Sequence, residues 1–235
     1  MADLLVFAAH PDDAEIGCGA TIAAHVRAGA SVVIVDATRG ELSSRGTVAE
    51  REREAAAAAA VLGVGRRENL GLRDGHLLGD DLAARALIVD SIRRHRPRAV
   101  LCMNGHARHP DHIALARLVA PAIKAAALHQ LATPSKAAAY ADARVWFYEA
   151  ELPISPTFLV PCSEDDWGLK RDAVRCYASQ LHRPGSEGPV TTIASAGFLS
   201  AIEARGRAWG TLAGSAFAEA FTGPESPRVT DLRAI

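Results

Sequence analysis

Two short stretches concentrate the residue types that do chemistry: HPDD at His10–Asp13 and HPDH at His109–His112. Adjacent aspartates such as Asp12 and Asp13 repel each other unless a cation holds them. His10 and Asp13 stand three residues apart at the opening of a helix, so their side chains can converge on one point. His112, also at a helix start, offers a third ligand from the second stretch. Two imidazoles and one carboxylate suit zinc, and three protein ligands leave a position for water whose pKa falls to about 7. Zn2+ is therefore the expected cofactor, with another divalent metal such as Fe2+ as the alternative. Asp12 points elsewhere along the turn, which gives it the part of general base, a contribution of about 10²–10⁴-fold. His109 is within reach of a substrate; as an imidazolium it would stabilise a tetrahedral oxyanion by roughly 3–4 kcal/mol. Asp111 would orient either His109 or a ligand histidine.

Taken singly, each tetrapeptide reads as well as a turn with helix-capping aspartates. What joins them is the pattern of elements. LLVFAA (4–9), SVVIVDAT (31–38), RRENLGL (66–72) and AVLCMN (99–104) read as strands. ATIAAHVRAGA (20–30), residues 48–63, 82–97 and 112–130 read as helices, the last bent at Pro121. This alternation predicts an α/β fold, a doubly wound Rossmann-like domain with a mostly parallel sheet. With the usual strand order 3-2-1-4-5, the first and fourth strands are neighbours at the switch point where such sheets bind ligands. HPDD and HPDH follow those two strands and should face one crevice.

The pattern changes near residue 131. Residues 1–131 form the catalytic domain carrying the metal site, and 132–235 a smaller C-terminal α/β extension completing the same domain and the substrate pocket. In that extension, 143–150 and PTFLVPC read as strands, 165–177 and 193–212 as helices, and LHRPGSEGPVTT as a surface loop. His25, His76, His95 and His129 lie away from the two turns; His106 and His182 have no assigned role.

Of 235 residues, 49% are hydrophobic and 23% charged, with a net charge of -1, which argues against nucleic acid as a partner. The four cysteines form no CxxC pair and suggest no disulfide framework. Asp3 interrupts a short N-terminal apolar run, and no stretch is long enough for a membrane span. The expectation is a cytoplasmic protein without a membrane partner.

AHPDDAEIGCGATIA and RHPDH resemble the LmbE-like, or PIG-L, zinc deacetylases, which remove the N-acetyl group from N-acetylglucosamine-containing small molecules. The resemblance extends to ATRGELSSRGTVAEREREAA, YASQ, SAGFLSAIEARGRAWG and AFAEAF. The later segments look most like the bacillithiol-biosynthesis branch, whose members act on N-acetylglucosaminyl-malate. The resemblance implies His10, Asp13 and His112 as zinc ligands, Asp12 as base, and His109 on the oxyanion or leaving-amine side. It also implies that Arg51 binds sugar hydroxyls with Asp74 as an acidic partner. Arg108 would meet the aglycone carboxylates in a bidentate fork. A small-molecule N-acetylglucosaminide substrate and a homo-oligomer follow from the same resemblance. Phe198 stands where some members carry a tyrosine, and CMNGHA precedes RHPDH where relatives often carry an aromatic or acidic residue; both bear on substrate identity.

Three other readings compete. An amidase acting on a thiol S-conjugate would use the same metal site, and a non-catalytic metal-binding protein would keep the fold. A dinucleotide-binding oxidoreductase fits least, because the third glycine of G-x-G-x-x-G would fall at Ile22 and HPDD fills the pyrophosphate turn.

Overall fold

The computed structural model describes residues 1–182 and 188–227. Its first four strands are β1 (Leu4–Ala8), β2 (Val32–Thr38), β3 (Arg66–Leu72) and β4 (Ala99–Met103). They alternate with α1 (Asp13–Arg27), α2 (Val48–Val61), α3 (Leu82–His95) and α4 (Pro110–Ala126). Then follow β5 (Arg144–Tyr148), β6 (Phe158–Cys162), α5 (Glu164–Cys176), α6 (Phe198–Ala213) and β7 (Phe217–Thr222). β1 and β2 are buried along their whole length, as the unbroken apolar runs require of strands covered on both faces.

One seven-stranded sheet runs in the order β3-β2-β1-β4-β5-β7-β6. The first five are parallel, and β7 pairs antiparallel with both β5 and β6. Phe7 is opposite Cys102 and Met103 opposite Tyr148, so β1, β4 and β5 end side by side. The expected order therefore holds, and the chain segments leaving these three strands meet at one edge.

Local signals set several helix starts. Thr47 and Glu50 form a reciprocal capping box at α2, Ser163 and Asp166 another at α5, and Asp81 accepts two backbone N–H bonds at α3. α4 opens on Pro110, whose missing N–H costs nothing in a first turn.

Four expectations need correction. α1 begins at Asp13, seven residues before the expected Ala20, because a helical turn over 13–17 is followed by a break at Cys18 (φ -140°, ψ 25°). The break is stabilised from the far end of the chain: Glu219 of β7 accepts the N–H groups of Ala20 (3.2 Å) and Thr21 (2.7 Å). α4 begins at Pro110 and ends at Ala126, short of Gln130. α6 begins at Phe198, because residues 193–197 form turns instead. β7 was not expected as a strand at all; its alternating small residues carry little apolar periodicity, and its place is set by pairing with β5 and β6. The expected loop of residues 181–192 lies partly outside the described residues.

Candidate metal centre and active site

The chain leaves β1 at Ala8 and turns through His10–Asp13 into α1. Within this turn Asp12 has φ 115°, a backbone conformation rarely adopted by an L residue. The strain is held by neighbouring contacts: Ile16 N–H donates to the Asp12 carbonyl at 2.9 Å, and Arg51 of α2 donates to the Pro11 carbonyl. Such over-determined strain is characteristic of functional turns.

The two motifs meet as the topology requires. Asp13 lies between the histidines, with Oδ2 3.2 Å from His10 Nδ1 and Oδ1 3.3 Å from His112 Nε2. The His109 ring centroid is 4.7 Å from that of His10 and 5.0 Å from that of His112. One ligand atom from each of His10, His109 and His112 falls within a 4.8 Å span, and so does one from each of His10, Asp74 and Asp111. His10, Asp12, Asp13, Asp74, Asp111 and His112 are all buried, and His109 is half-buried.

The far side of His10 is backed by carboxylates. Its Nε2 lies 3.0 Å from Asp74 Oδ1 and 3.4 Å from Asp111 Oδ2. Asp74 is itself fixed by the Leu42 N–H (2.8 Å), and Asp111 by the N–H groups of Gly75 (2.7 Å) and Leu77 (3.2 Å). Of the two roles open to Asp111, its side chain thus takes the one toward a predicted ligand histidine. It meets His109 through the backbone, its N–H donating to His109 Nδ1 at 3.2 Å. This bond makes His109 the N-cap of α4 and, in the neutral ring, puts the proton on Nε2.

Arg51 is buried, with Nη2 3.1 Å from Asp12 Oδ2; its Nε has no partner among the described residues. Arg108 stands at the rim with a largely exposed side chain, its Nε 3.5 Å from Glu151 Oε2. The structure therefore brings Asp12, Asp13, His10, His109, Asp111, His112, Asp74 and Arg51 into one connected cluster, with Arg108 at its edge.

The electrostatics follow from crowding carboxylates around imidazoles in a buried place. Burial pushes the Asp12 carboxyl up to about 7, against the pull of Arg51. Burial acts the same way on Asp13, but the His112 charge and the imidazole contacts prevail and hold it well below the usual carboxylate range. His112 is raised to about 9: burial opposes the proton, and the Asp13 charge outweighs it. His10 is also raised well above its ordinary value, with burial outweighed by Asp111, Asp13 and Asp74. His109 is lowered by burial and by the charges of His10 and His112. That lowering favours a neutral hydrogen-bond donor over the imidazolium expected from the sequence.

A divalent cation fits this donor set. The buried carboxylates demand compensating positive charge, which protons on His10 and His112 supply in the metal-free chain. Each of those imidazoles has a carboxylate behind it, the arrangement that orients metal-bound histidines.

Sequence reasoning missed Glu151, whose Oε1 lies 2.9 Å from His112 Nδ1. The same topological argument could have found it, since it follows β5 next to β4. It also missed the buried pair of Lys170 and Glu219 beneath α1. No spacing signal marks that pair, because its members are joined only through packing of α5 on β7.

A family model described as PIG-L: GlcNAc-PI de-N-acetylase matches residues 5–123. A 1D-myo-inositol 2-acetamido-2-deoxy-alpha-D-glucopyranoside deacetylase from Kineococcus radiotolerans is 34% identical over 149 residues, 47% of this chain and 41% of that protein. The chain spans about half the length of such curated relatives. Among solved structures, the conserved protein TT1542 from Thermus thermophilus superposes with a TM-score of 0.87 at 37% identity, covering 99% of both chains. The N,N'-diacetylchitobiose deacetylase from Pyrococcus horikoshii shares the fold, with a TM-score of 0.74 at 24% identity, covering 94% of this chain and 83% of that one.

Proposed function

Because this chain belongs to the PIG-L family, we propose that it is a metal-dependent hydrolase that removes the acetyl group from an N-acetylglucosaminyl small molecule. The observation that carries this reading is the convergence of two histidine–aspartate turns on Asp13, with His10 and His112 on its two carboxylate oxygens. His10, Asp13 and His112 would hold the metal, taken here as zinc. Zinc bound there would polarise an amide carbonyl and acidify water to a pKa of about 7.

Asp12 is the proton carrier. Its carboxyl, pushed up to about 7, can accept a proton from the attacking water and return it to the departing amine near neutral pH. Arg51 keeps that carboxylate in place, and the Pro11 carbonyl anchors Arg51. His109, neutral with its Nδ1 occupied by the Asp111 N–H, offers Nε2–H to the carbonyl oxygen as negative charge develops there. In the balanced reaction, water oxygen bonds to the acetyl carbon, the C–N bond breaks, and acetate and a free sugar amine leave.

The finer assignment is N-acetylglucosaminyl-malate in bacillithiol biosynthesis, with Arg108 at the rim pairing with the malate carboxylates. Its exposed guanidinium supports that role. The test is acetate release from N-acetylglucosaminyl-malate by zinc-loaded protein, beside N-acetylglucosamine and a chelator control. Chelator-sensitive release from the malate compound is expected. Release only from other N-acetyl sugars would discard the malate assignment. No release from any N-acetyl sugar, with zinc bound, would overturn the deacetylase and favour the S-conjugate amidase.

A further inference from the structure

Glu151 lies outside both HPD motifs, three residues beyond the end of β5. Its two oxygens divide their contacts along the Arg108–His112 segment. Oε1 accepts the His109 N–H at 3.2 Å and lies 2.9 Å from His112 Nδ1, an ion-pair approach rather than an aligned hydrogen bond, since Nδ1 has no hydrogen-bond partner among the described residues. Oε2 accepts the Arg108 N–H at 3.0 Å and lies 3.5 Å from Arg108 Nε. The opposite ring nitrogen of His112, Nε2, faces Asp13 Oδ1.

We propose that Glu151 is a positioning residue for the metal centre, holding His112 in the tautomer with its proton on Nδ1 and its Nε2 lone pair turned toward the metal. The inference rests on the metal reading of the site. A carboxylate beside one ring nitrogen draws the proton there and makes the other nitrogen a stronger ligand. Asp74 and Asp111 stand behind His10 in a comparable way, so both imidazoles proposed as ligands have acidic residues from other segments behind them.

The second consequence concerns the backbone. By accepting the N–H groups of Arg108 and His109, Glu151 ties the turn that opens α4 to the segment leaving β5. His106 makes a second tie between the same segments, its Nδ1 lying 3.2 Å from the Pro153 carbonyl. In this proposal one side chain acts both on the His112 ring and on the backbone that presents His109 and Arg108.

The experiment measures zinc affinity by chelator competition in the full chain, in wild type, Glu151→Gln and Glu151→Ala. Affinity should fall about 10–100-fold in Glu151→Ala. It should fall less in Glu151→Gln, which keeps an amide oxygen beside Nδ1 but loses the carboxylate charge. Circular dichroism of the metal-free variants reports whether they fold. Independently of any variant, the ¹⁵N shifts of the His112 ring in zinc-loaded wild type should show a protonated Nδ1 and a ligated Nε2. Folded variants with wild-type affinity, or a wild-type ring protonated on Nε2, would overturn the proposal while leaving the metal site standing. Failure of wild type itself to bind zinc would overturn the metal reading and this inference with it.

Discussion

Arg51 Nη2 lies 3.1 Å from Asp12 Oδ2, and both side chains are buried. The pair joins the first turn of α2 to the strained turn after β1, across 39 residues of chain. In this conformation Nη2 is committed to Asp12 and the Pro11 carbonyl, while Nε has no partner among the described residues. The carboxylate proposed as the base is thereby held in place by Arg51.

Replacement of Asp12 by Asn preserves the shape of the side chain and tolerates the positive φ better than most residues. Deacetylation should fall about 10²–10⁴-fold, the range expected for losing a general base, while zinc content measured by mass spectrometry stays at the wild-type level. Turnover at the wild-type rate would remove Asp12 from the mechanism.

Metal binding should depend on pH with a definite sign. The His112 pKa is raised from 6.5 to about 9 and that of His10 is also raised, so both rings carry protons at neutral pH in the metal-free chain. Zinc needs the neutral rings and must displace those protons. Apparent zinc affinity should therefore climb from pH 6.5 toward 9, by about tenfold per pH unit for each proton displaced. The metal-free fold should show the opposite trend. Raised histidine pKa values stabilise it below the unfolded value of 6.5, and this contribution is lost as pH rises through about 9. Chelator competition and thermal melts across that window check both slopes, and a flat affinity profile would contradict the charge balance described above.

Gly17 is a packing requirement of the first turn of α1. A Cβ there would collide with the Tyr148 ring, which is fully buried and donates its hydroxyl to the Phe7 carbonyl at 3.0 Å. Gly17→Ala should destabilise the fold by about 1–3 kcal/mol, the usual cost of overpacking. Chemical denaturation measures it. An unchanged midpoint would mean that Tyr148 can move aside.

Glu219 supports the break in α1 from beneath. It accepts two backbone N–H groups and pairs with Lys170, and both side chains are 3% exposed. Glu219→Ala would leave Lys170 buried without its partner, a loss of about 3–5 kcal/mol. The double variant with Lys170→Met should recover part of it. Equal stabilities of the single and double variants would show that the pair does not act as a unit.

Arg108→Ala should raise KM for an anionic N-acetylglucosaminide and leave kcat, zinc content and melting temperature close to wild type. Its side chain is largely exposed, and surface substitutions of this kind usually change stability by no more than about 0.5 kcal/mol. An unchanged KM for the malate substrate would place the aglycone elsewhere.

The sequence by itself determined the alternation of strands and helices, the order β3-β2-β1-β4-β5, and the meeting of the two histidine–aspartate turns. Those features are readable because apolar runs, helical spacing and strand-end position are local or follow from the handedness of parallel crossovers. Only the tertiary structure decided which groups back the predicted ligands. Asp74 reaches His10 across 64 residues, Glu151 reaches His112 from another strand end, and Glu219 caps the broken α1 across almost the whole chain. It also decided that Asp111 faces His10 and that β7 enters the sheet between β5 and β6. Such contacts depend on sheet register and on how strand-end loops pack against one another. Neither is encoded in any short window of residues, so the chemistry was visible as two motifs while the groups that hold it in place emerged only when the strands were brought together.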